Sequence, residues 1–317
     1  NVSNRVAYRH QLFLPRGVKA ALARPGDDVD VIHLHGHRHL LNNAAVRWAR
    51  ERNIPYVLTA NGTLLRHERK VGVKWLWDQI VAGEIPEKAA RLIAVSAADV
   101  ARHRAAGIDA DRIERFPNGL DLGEFEATPP RGQFRAVHGL GDGPIVTYLG
   151  RVSPRKGVEH LVRAFSDGAL SPASLVIAGN DMGAMSTAKA EPHGSDVRFV
   201  GLVQGGDRLA RLADTDVLVY PSADEVFGLV PFEGLLCGAP VVVADDCGCG
   251  ELIAEAGAGL LVRYGDVEGL RARIRTLIDD RAAASAMVAR GRRYVSEQLG
   301  FKTVAARHLD VYRQVCP

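Results

Sequence analysis

Ten short runs of aliphatic and β-branched residues recur along this chain, and stretches of helical character separate most of them. Val29–Leu34, Tyr56–Thr59, Arg91–Val95 and Ile113–Phe116 read as strands of a first half. Ile145–Leu149, Ser174–Ala178, Val197–Val200, Val217–Tyr220, Val241–Val243 and Leu260–Val262 read as strands of a second. Helical stretches fall near 39–52, 70–83 and 97–106. In Lys156–Phe165, Val158, Leu161, Val162 and Phe165 take the i, i+3, i+4, i+7 spacing of an amphipathic helix. Strands alternating with helices predict parallel sheets, hence an α/β chain. Asp121–Arg135, rich in Gly, Pro and charge, reads as a linker between domains. Two or three helices close the chain between Val267 and Val315. A length of 317 residues suits two domains. The halves share this architecture but no sequence repeat.

Composition excludes some classes of function. Hydrophobic residues make up 47% of the chain and the mean hydropathy is −0.04, enough for a sizeable core. No run of about 18 uncharged apolar residues is present to form a transmembrane helix. No signal peptide is visible. The net charge of +3 and the lack of a recognisable module argue against nucleic-acid binding. The charge is uneven, because residues 1–135 carry 21 Lys and Arg against 15 Asp and Glu. Arg66–Trp77 mixes Arg, Lys and Trp on one predicted helix. Such a helix seats at an anionic membrane surface, recognises an acidic acceptor, or is a solvated face with Trp75 turned inward. The expected location is the cytoplasm, with peripheral contact at the inner face of the membrane as one reading of Arg66–Trp77. The four cysteines, Cys237, Cys247, Cys249 and Cys316, fit unpaired thiols of a cytosolic protein. Cys247-Gly-Cys249 is too tight for a structural zinc pair.

One segment concentrates chemistry. Asp216–Ser222 ends a strand, and Glu225-Val-Phe-Gly-Leu-Val-Pro-Phe-Glu233 follows with two carboxylates, a glycine and a helix start. Gly228 permits close approach of a ligand to the backbone, and Pro231 suits the first turn of a helix. The amides of Gly228, Leu229 and Val230 would then face outward at the positive end of a helix dipole, a site for phosphate. Ionised carboxylates accept strong hydrogen bonds from hydroxyls. The same pattern is also met by a solvated Glu225 and a Glu233 that only complements the dipole. A second segment points the same way. Arg151 follows the strand Ile145–Gly150, and Lys156 opens the next helix, so both cations stand at the carboxyl end of a strand, where α/β sheets bind ligands. Two cations there clamp a diphosphate, or are ordinary surface charges of a loop.

Together these segments resemble the retaining glycosyltransferases of family four. The resemblance rests on Gly150-Arg151, Lys156-Gly157, Pro221-Ser222, the Glu225-x7-Glu233 pair and Gly238-Ala-Pro-Val-Val242. It extends to Asp30-Val-Ile-His-Leu-His35, Ala94-Val-Ser96, Phe116-Pro-Asn-Gly-Leu-Asp121, Gly250-Glu251 and Gly257–Val262. It implies the GT-B fold, two Rossmann-like domains with parallel sheets facing across a cleft. Residues 1–133 would form the acceptor-side domain, 134–299 the donor domain, and 300–317 would pack back onto the first. It also implies a nucleotide-diphosphate sugar as donor, a hydroxyl acceptor, retention of configuration, and neither cofactor nor metal. Arg151 and Lys156 would bind the pyrophosphate and stabilise its departure. Glu225 would contact the sugar, Gly150, Phe227, Gly228, Leu229 and Val230 would line the donor site, and Glu233 would take the ribose hydroxyls. Asp214-Thr-Asp216 imitates a metal-binding Asp-x-Asp but reads as a turn before a buried strand.

Other features bear on the first half. His33, His35, His37 and His39 alternate, and the strand is expected to end near His35. The resemblance places His33 and His35 at the carboxyl end of that strand, facing the cleft. Asn61 stands where many members carry His; it either bonds a sugar hydroxyl or forms a turn with Gly62. The chain starts at Asn1, after the point where the family has its opening strand and Gly-rich loop. The expectation is an incomplete first domain, with a partner chain as one source of the missing part. Two further readings stay open: an epimerase of the same fold, and a non-catalytic nucleotide-sugar-binding subunit.

Overall fold

All ten strands form. The structure, a computed structural model, describes residues 29–36, 38–64 and 84–316 together with 17, 20 and 21. Four strands belong to a first unit: β1 Ile32–His35, β2 Tyr56–Thr59, β3 Arg91–Ala94 and β4 Ile113–Arg115. Six belong to a second: β5 Ile145–Leu149, β6 Ser174–Ala178, β7 Val197–Gly201, β8 Val217–Tyr220, β9 Val241–Ala244 and β10 Gly259–Val262. The units comprise Asn1–Pro117 with Val304–Pro317, and Asn118–Thr303. The division thus falls before Asn118, ahead of the expected domain boundary after residue 133. The helix Phe301–Val315 supplies the return segment of the first unit from Val304 onward.

In the first unit the strands run parallel in the order β1-β2-β3-β4. The alternation of side chains across the pleat divides its core in two. Leu34, Tyr56, Leu58 and Leu92 pack on one face with Val46 and Ile85. Val57 and Ile93 pack on the other with Phe116, Val304 and Val311. The valines spaced seven apart on the terminal helix explain why that helix returns to this sheet.

In the second unit the strands are again parallel, in the order β10-β9-β8-β5-β6-β7. Both faces are covered here too. Val146, Tyr148, Leu175 and Ile177 pack against Leu161, Val162, Phe165, Leu270 and Ile274. Ile145 and Val176 pack against Phe134, Leu140 and Ala210. A strand buried on both faces needs near-continuous apolar sequence, which Val241–Ala244 supplies and Ile145–Leu149 supplies but for Thr147, whose hydroxyl accepts from Thr215 at 2.8 Å. Asp214 and Asp216 serve the amino-terminal edge of this sheet. Asp214 accepts from the amides of Gly132 and Arg135, capping the helix Gln133–Val137. Asp216 accepts from the Ile145 amide at 2.8 Å and pairs with Arg131 and Arg281. They link a helix to β8 at the edge opposite the candidate site.

Candidate active site

The strand order brings two distant segments of sequence together. From β5 the chain proceeds through β6 and β7, then returns with β8 on the other side of β5. In a doubly wound sheet a crevice opens at the carboxyl ends of the strands where the order reverses. Gly150 and Arg151 follow β5 there, and Pro221–Gly228 follow β8. Gly150 N–H donates to the Ala178 carbonyl, which carries the β5–β6 ladder one residue past β5. The Arg151 side chain is exposed.

Gly157 joins the two segments. Its φ is +66°, and a β-carbon there would lie 2.3 Å from the Pro221 carbonyl oxygen. Only glycine lets the loop after β5 rest on the end of β8. Ala223 N–H donates to the Arg155 carbonyl at 2.7 Å across the same seam. Lys156 is thereby carried to Glu225, and its Nζ donates to Oε2. Tyr220 Oη and Ser222 Oγ donate to the same oxygen at 3.1 and 3.3 Å. Burial pushes the Glu225 carboxyl up, but the Lys156 ammonium and these hydrogen bonds outweigh it and hold it below the usual glutamate value. Burial, with the Glu225 charge, drives the Tyr220 phenol well above its ordinary value, so it stays a donor.

Glu233 lies in the first turn of the helix Val230–Cys237 and has a different cation. Arg208 Nη1 donates to Glu233 Oε2 at 2.5 Å, and its Nη2 donates to Glu124. Burial pushes the Glu233 carboxyl up; Arg208 opposes this without cancelling it, and Glu124 adds to the rise. The two glutamates of one segment are therefore shifted in opposite directions.

Between them Gly228 has φ +93°, and a β-carbon would lie 3.0 Å from Tyr220 Cε1 and 3.2 Å from Cys249 Sγ. Pro231 stands in the first turn of the helix. The amides of Gly228, Leu229 and Val230 donate to none of the described residues. Free amides, a helix N-terminus and nearby cations suit an anion. Phe227 is buried and stacks on Phe232 at 5.6 Å. Gly248 and Cys249 donate their amides to the Glu225 and Phe227 carbonyls, both at 2.9 Å, which ties this segment to the helix Gly248–Glu255.

Cys247 and Cys249 are buried beneath this segment, with sulfurs 3.3 Å apart. Cys247 Sγ caps the helix by accepting from Gly250 N–H. Burial drives the Cys249 thiol well above its ordinary value, and a buried neutral thiol is unreactive. No three His, Cys, Asp or Glu side chains gather to hold a metal ion among the described residues.

In the first unit β1 ends at His35, the expected end of the strand, although the histidine alternation runs on. His33 is half-buried, with Nδ1 2.7 Å from Tyr312 Oη and Nε2 2.7 Å from Thr59 Oγ1. Burial, helped by His35 and His308, pushes it down to about 3. His35 is exposed, and its ring lies 4.4 Å from that of His33. Asn61 (φ +47°) and Gly62 (φ +75°) form the turn after β2. His35 and Asn61 thus stand at the ends of adjacent strands. Arg66–Trp77, His37 and the predicted helix 70–83 lie outside the described residues.

Sequence reasoning missed Arg208 and the role of Tyr220. Arg208 is 25 residues from Glu233 on another helix, with no local pattern to mark it. Tyr220 looked like a strand residue and is one; only its terminal hydroxyl reaches Glu225.

Two parallel α/β units, one with this crevice, define a GT-B protein. The sequence model of Glycosyl transferases group 1 matches residues 130–294, and that of Glycosyltransferase Family 4 matches residues 2–124. The D-inositol 3-phosphate glycosyltransferase of Xylanimonas cellulosilytica is 33% identical over 321 residues, spanning 90% of this chain and 72% of that protein. Sucrose-phosphate synthase from Thermosynechococcus elongatus is similar with a TM-score of 0.76 and 25% identity, over 96% of this chain and 80% of that one. HepE of Anabaena, solved with UDP-glucose, shares the fold with a TM-score of 0.78 at 22% identity, over 94% of this chain and 80% of that one. The chain belongs to the glycosyl transferases group 1 family, a family of enzymes. These relatives lend no support to an epimerase.

Proposed function

We propose that this protein is a retaining glycosyltransferase, moving a sugar from a nucleotide-diphosphate sugar to a hydroxyl of a glycan, glycolipid or small-molecule acceptor. The meeting of Lys156 with Glu225 at the β5–β8 switch point, beside three free amides, carries the reading. The names of the relatives support it: one transfers to an inositol phosphate, and HepE was solved with a nucleotide sugar.

In this reading Arg151, Lys156 and the Gly228–Val230 amides receive the diphosphate, and Gly150 and Phe227 shape the floor beneath it. Glu225 accepts a hydrogen bond from a sugar hydroxyl, and Glu233 accepts from the ribose. The bond between the anomeric carbon and the phosphate oxygen breaks with its electron pair staying on the diphosphate. Fixed cations and amides stabilise that charge in the transition state, so no divalent metal is required. The acceptor hydroxyl attacks from the face the diphosphate leaves, and its proton departs on the leaving phosphate oxygen. Glu225 orients the sugar and forms no covalent bond. His35 and Asn61 contribute to the acceptor side. Peripheral contact with an anionic membrane through Arg66–Trp77 belongs to the same proposal and is read by vesicle cosedimentation.

The test is a thermal-shift panel of UDP-, GDP-, ADP- and TDP-sugars, since a ligand of the folded state raises its melting temperature. The donor that shifts it is then assayed for hydrolysis or transfer, with the product anomer read by NMR. Glu225→Ala and Arg151→Ala should abolish turnover. A folded chain that binds none of these sugars, or an inverted product, would defeat the proposal.

A further inference from the structure

We infer that Arg208 is a positioning residue of the donor site, holding Glu233 as the acceptor for the donor's ribose hydroxyls and so making the site selective for a ribonucleotide. This rests on the reading that Glu233 takes those hydroxyls. Arg208 is held from three sides. Its Nη1 is bound by Glu233 and its Nη2 by Glu124, and its guanidinium lies 5.6 Å over the Phe125 ring. The planar fork of arginine serves two carboxylates at once, which a lysine ammonium on a flexible stem does poorly. With side-chain exposures of 17% for Arg208 and 15% for Glu233, the pair is fixed rather than fluctuating in solvent.

That fixation leaves Glu233 with a defined acceptor face. Arg208 occupies Oε2 only, and Oε1 has no hydrogen bond to the described residues. A vicinal diol offers two O–H donors, and an immobile carboxylate accepts both without losing further side-chain freedom. Arg208 also answers a charge problem. A buried carboxylate close to a diphosphate repels it, and burial together with Glu124 favours its protonation. A protonated Glu233 gives up an acceptor and presents a donor where the diol needs acceptors. The Arg208 cation offsets the charge and opposes that protonation, favouring the acceptor form.

The experiment measures binding of UDP, GDP and ADP, and of dUDP, dGDP and dADP, to the full chain by calorimetry between pH 5 and 8. Wild type should prefer its ribonucleotide over the 2′-deoxy form by about tenfold, the scale of one charge-assisted hydrogen bond. Arg208→Met should weaken ribonucleotide binding by about tenfold, bring the ratio near one, and move the acid loss of binding to higher pH. Glu124→Gln should keep the wild-type ratio. A folded Arg208→Met protein with the wild-type ratio and pH profile overturns the inference. So does a Glu124→Gln protein that loses the ratio equally, because Arg208 would then only anchor the linker. Should Arg208→Met not fold, Arg208→Lys decides alone, and an unchanged ratio overturns the inference. Wild type that binds no nucleoside diphosphate defeats the donor reading itself, while wild type that binds the ribo and 2′-deoxy forms equally defeats the ribose role of Glu233 and this inference with it, leaving the diphosphate site standing.

Discussion

Lys156 and Glu225, 69 residues apart in sequence, form an ion pair whose side chains are 12% and 22% exposed. The pair assembles the site before any ligand arrives. Each charge satisfies the other, so in the proposed reaction a diphosphate entering the crevice would meet a lysine already in position. A pair this enclosed holds only while both partners are present, since a lone buried charge is costly.

Lys156→Met should therefore destabilise the fold by about 3 kcal/mol, through the stranded carboxylate. Glu225→Gln should cost less. The pH dependence has a defined sign. The folded Glu225 carboxyl lies below its unfolded value of about 4.3. Its contribution is present above that value and is lost as pH falls through the folded value. Urea midpoints for wild type and Glu225→Gln should converge on acidification below about pH 4. A gap that widens on acidification would contradict the assigned pairing.

Gly228→Ala should damage binding more than folding. Its φ of +93° strains any side chain, and the new methyl group meets Tyr220 and Cys249. Strain of this kind costs about 1–3 kcal/mol. Relief would move the Gly228–Val230 amides of the proposed diphosphate site. A thermal melt should show a modest loss, and the shift caused by the nucleotide sugar should vanish. An alanine variant with full ligand-induced shift would remove these amides from the donor site.

His33 should make the protein acid-sensitive well above the carboxylate range. Its folded value of about 3 lies below the ordinary imidazole value of about 6.5. Between these values the unfolded chain binds the extra proton, so stability rises with pH there and is lost as pH drops from 6.5 toward 3. His33→Asn, which keeps a polar partner for Thr59, should flatten that slope in denaturation curves. An unchanged slope would mean that other groups govern acid unfolding.

Arg211→Met should stabilise the protein. Arg211 is fully buried over the Phe134 ring, 4.8 Å from its centroid, and none of its three side-chain nitrogens has an acceptor among the described residues. Burial alone pushes its guanidinium down. Methionine keeps the apolar stem and removes the charge, a change worth about 1–4 kcal/mol in other buried ionic sites. A raised melting temperature is expected; a lower one would reveal a partner for the cation.

Much of the fold was legible because its signals are local. Val217–Tyr220 and Tyr56–Thr59 were read to the residue, since a strand buried on both faces is apolar almost throughout. Val241–Ala244 was read one residue short, because alanine is a weak strand signal. The Glu225-x7-Glu233 segment was legible for the same reason. A glycine turn, a proline in the first helical turn and two carboxylates are neighbours in the chain. The burial of Cys247 and Cys249 was not legible, because burial is a property of the packed core.

By itself the sequence determined the alternation of strands and helices, the residue types at each loop, and the family to which they belong. Those follow from short-range sterics, hydrophobic periodicity and motif spacing. Only the tertiary structure decided which loops meet. The reversal of strand order between β5 and β8 sets Lys156 on Glu225, and the packing of separate helices sets Arg208 on Glu233. Such pairings depend on how crossover connections place parallel strands, a long-range choice that no stretch of adjacent residues encodes.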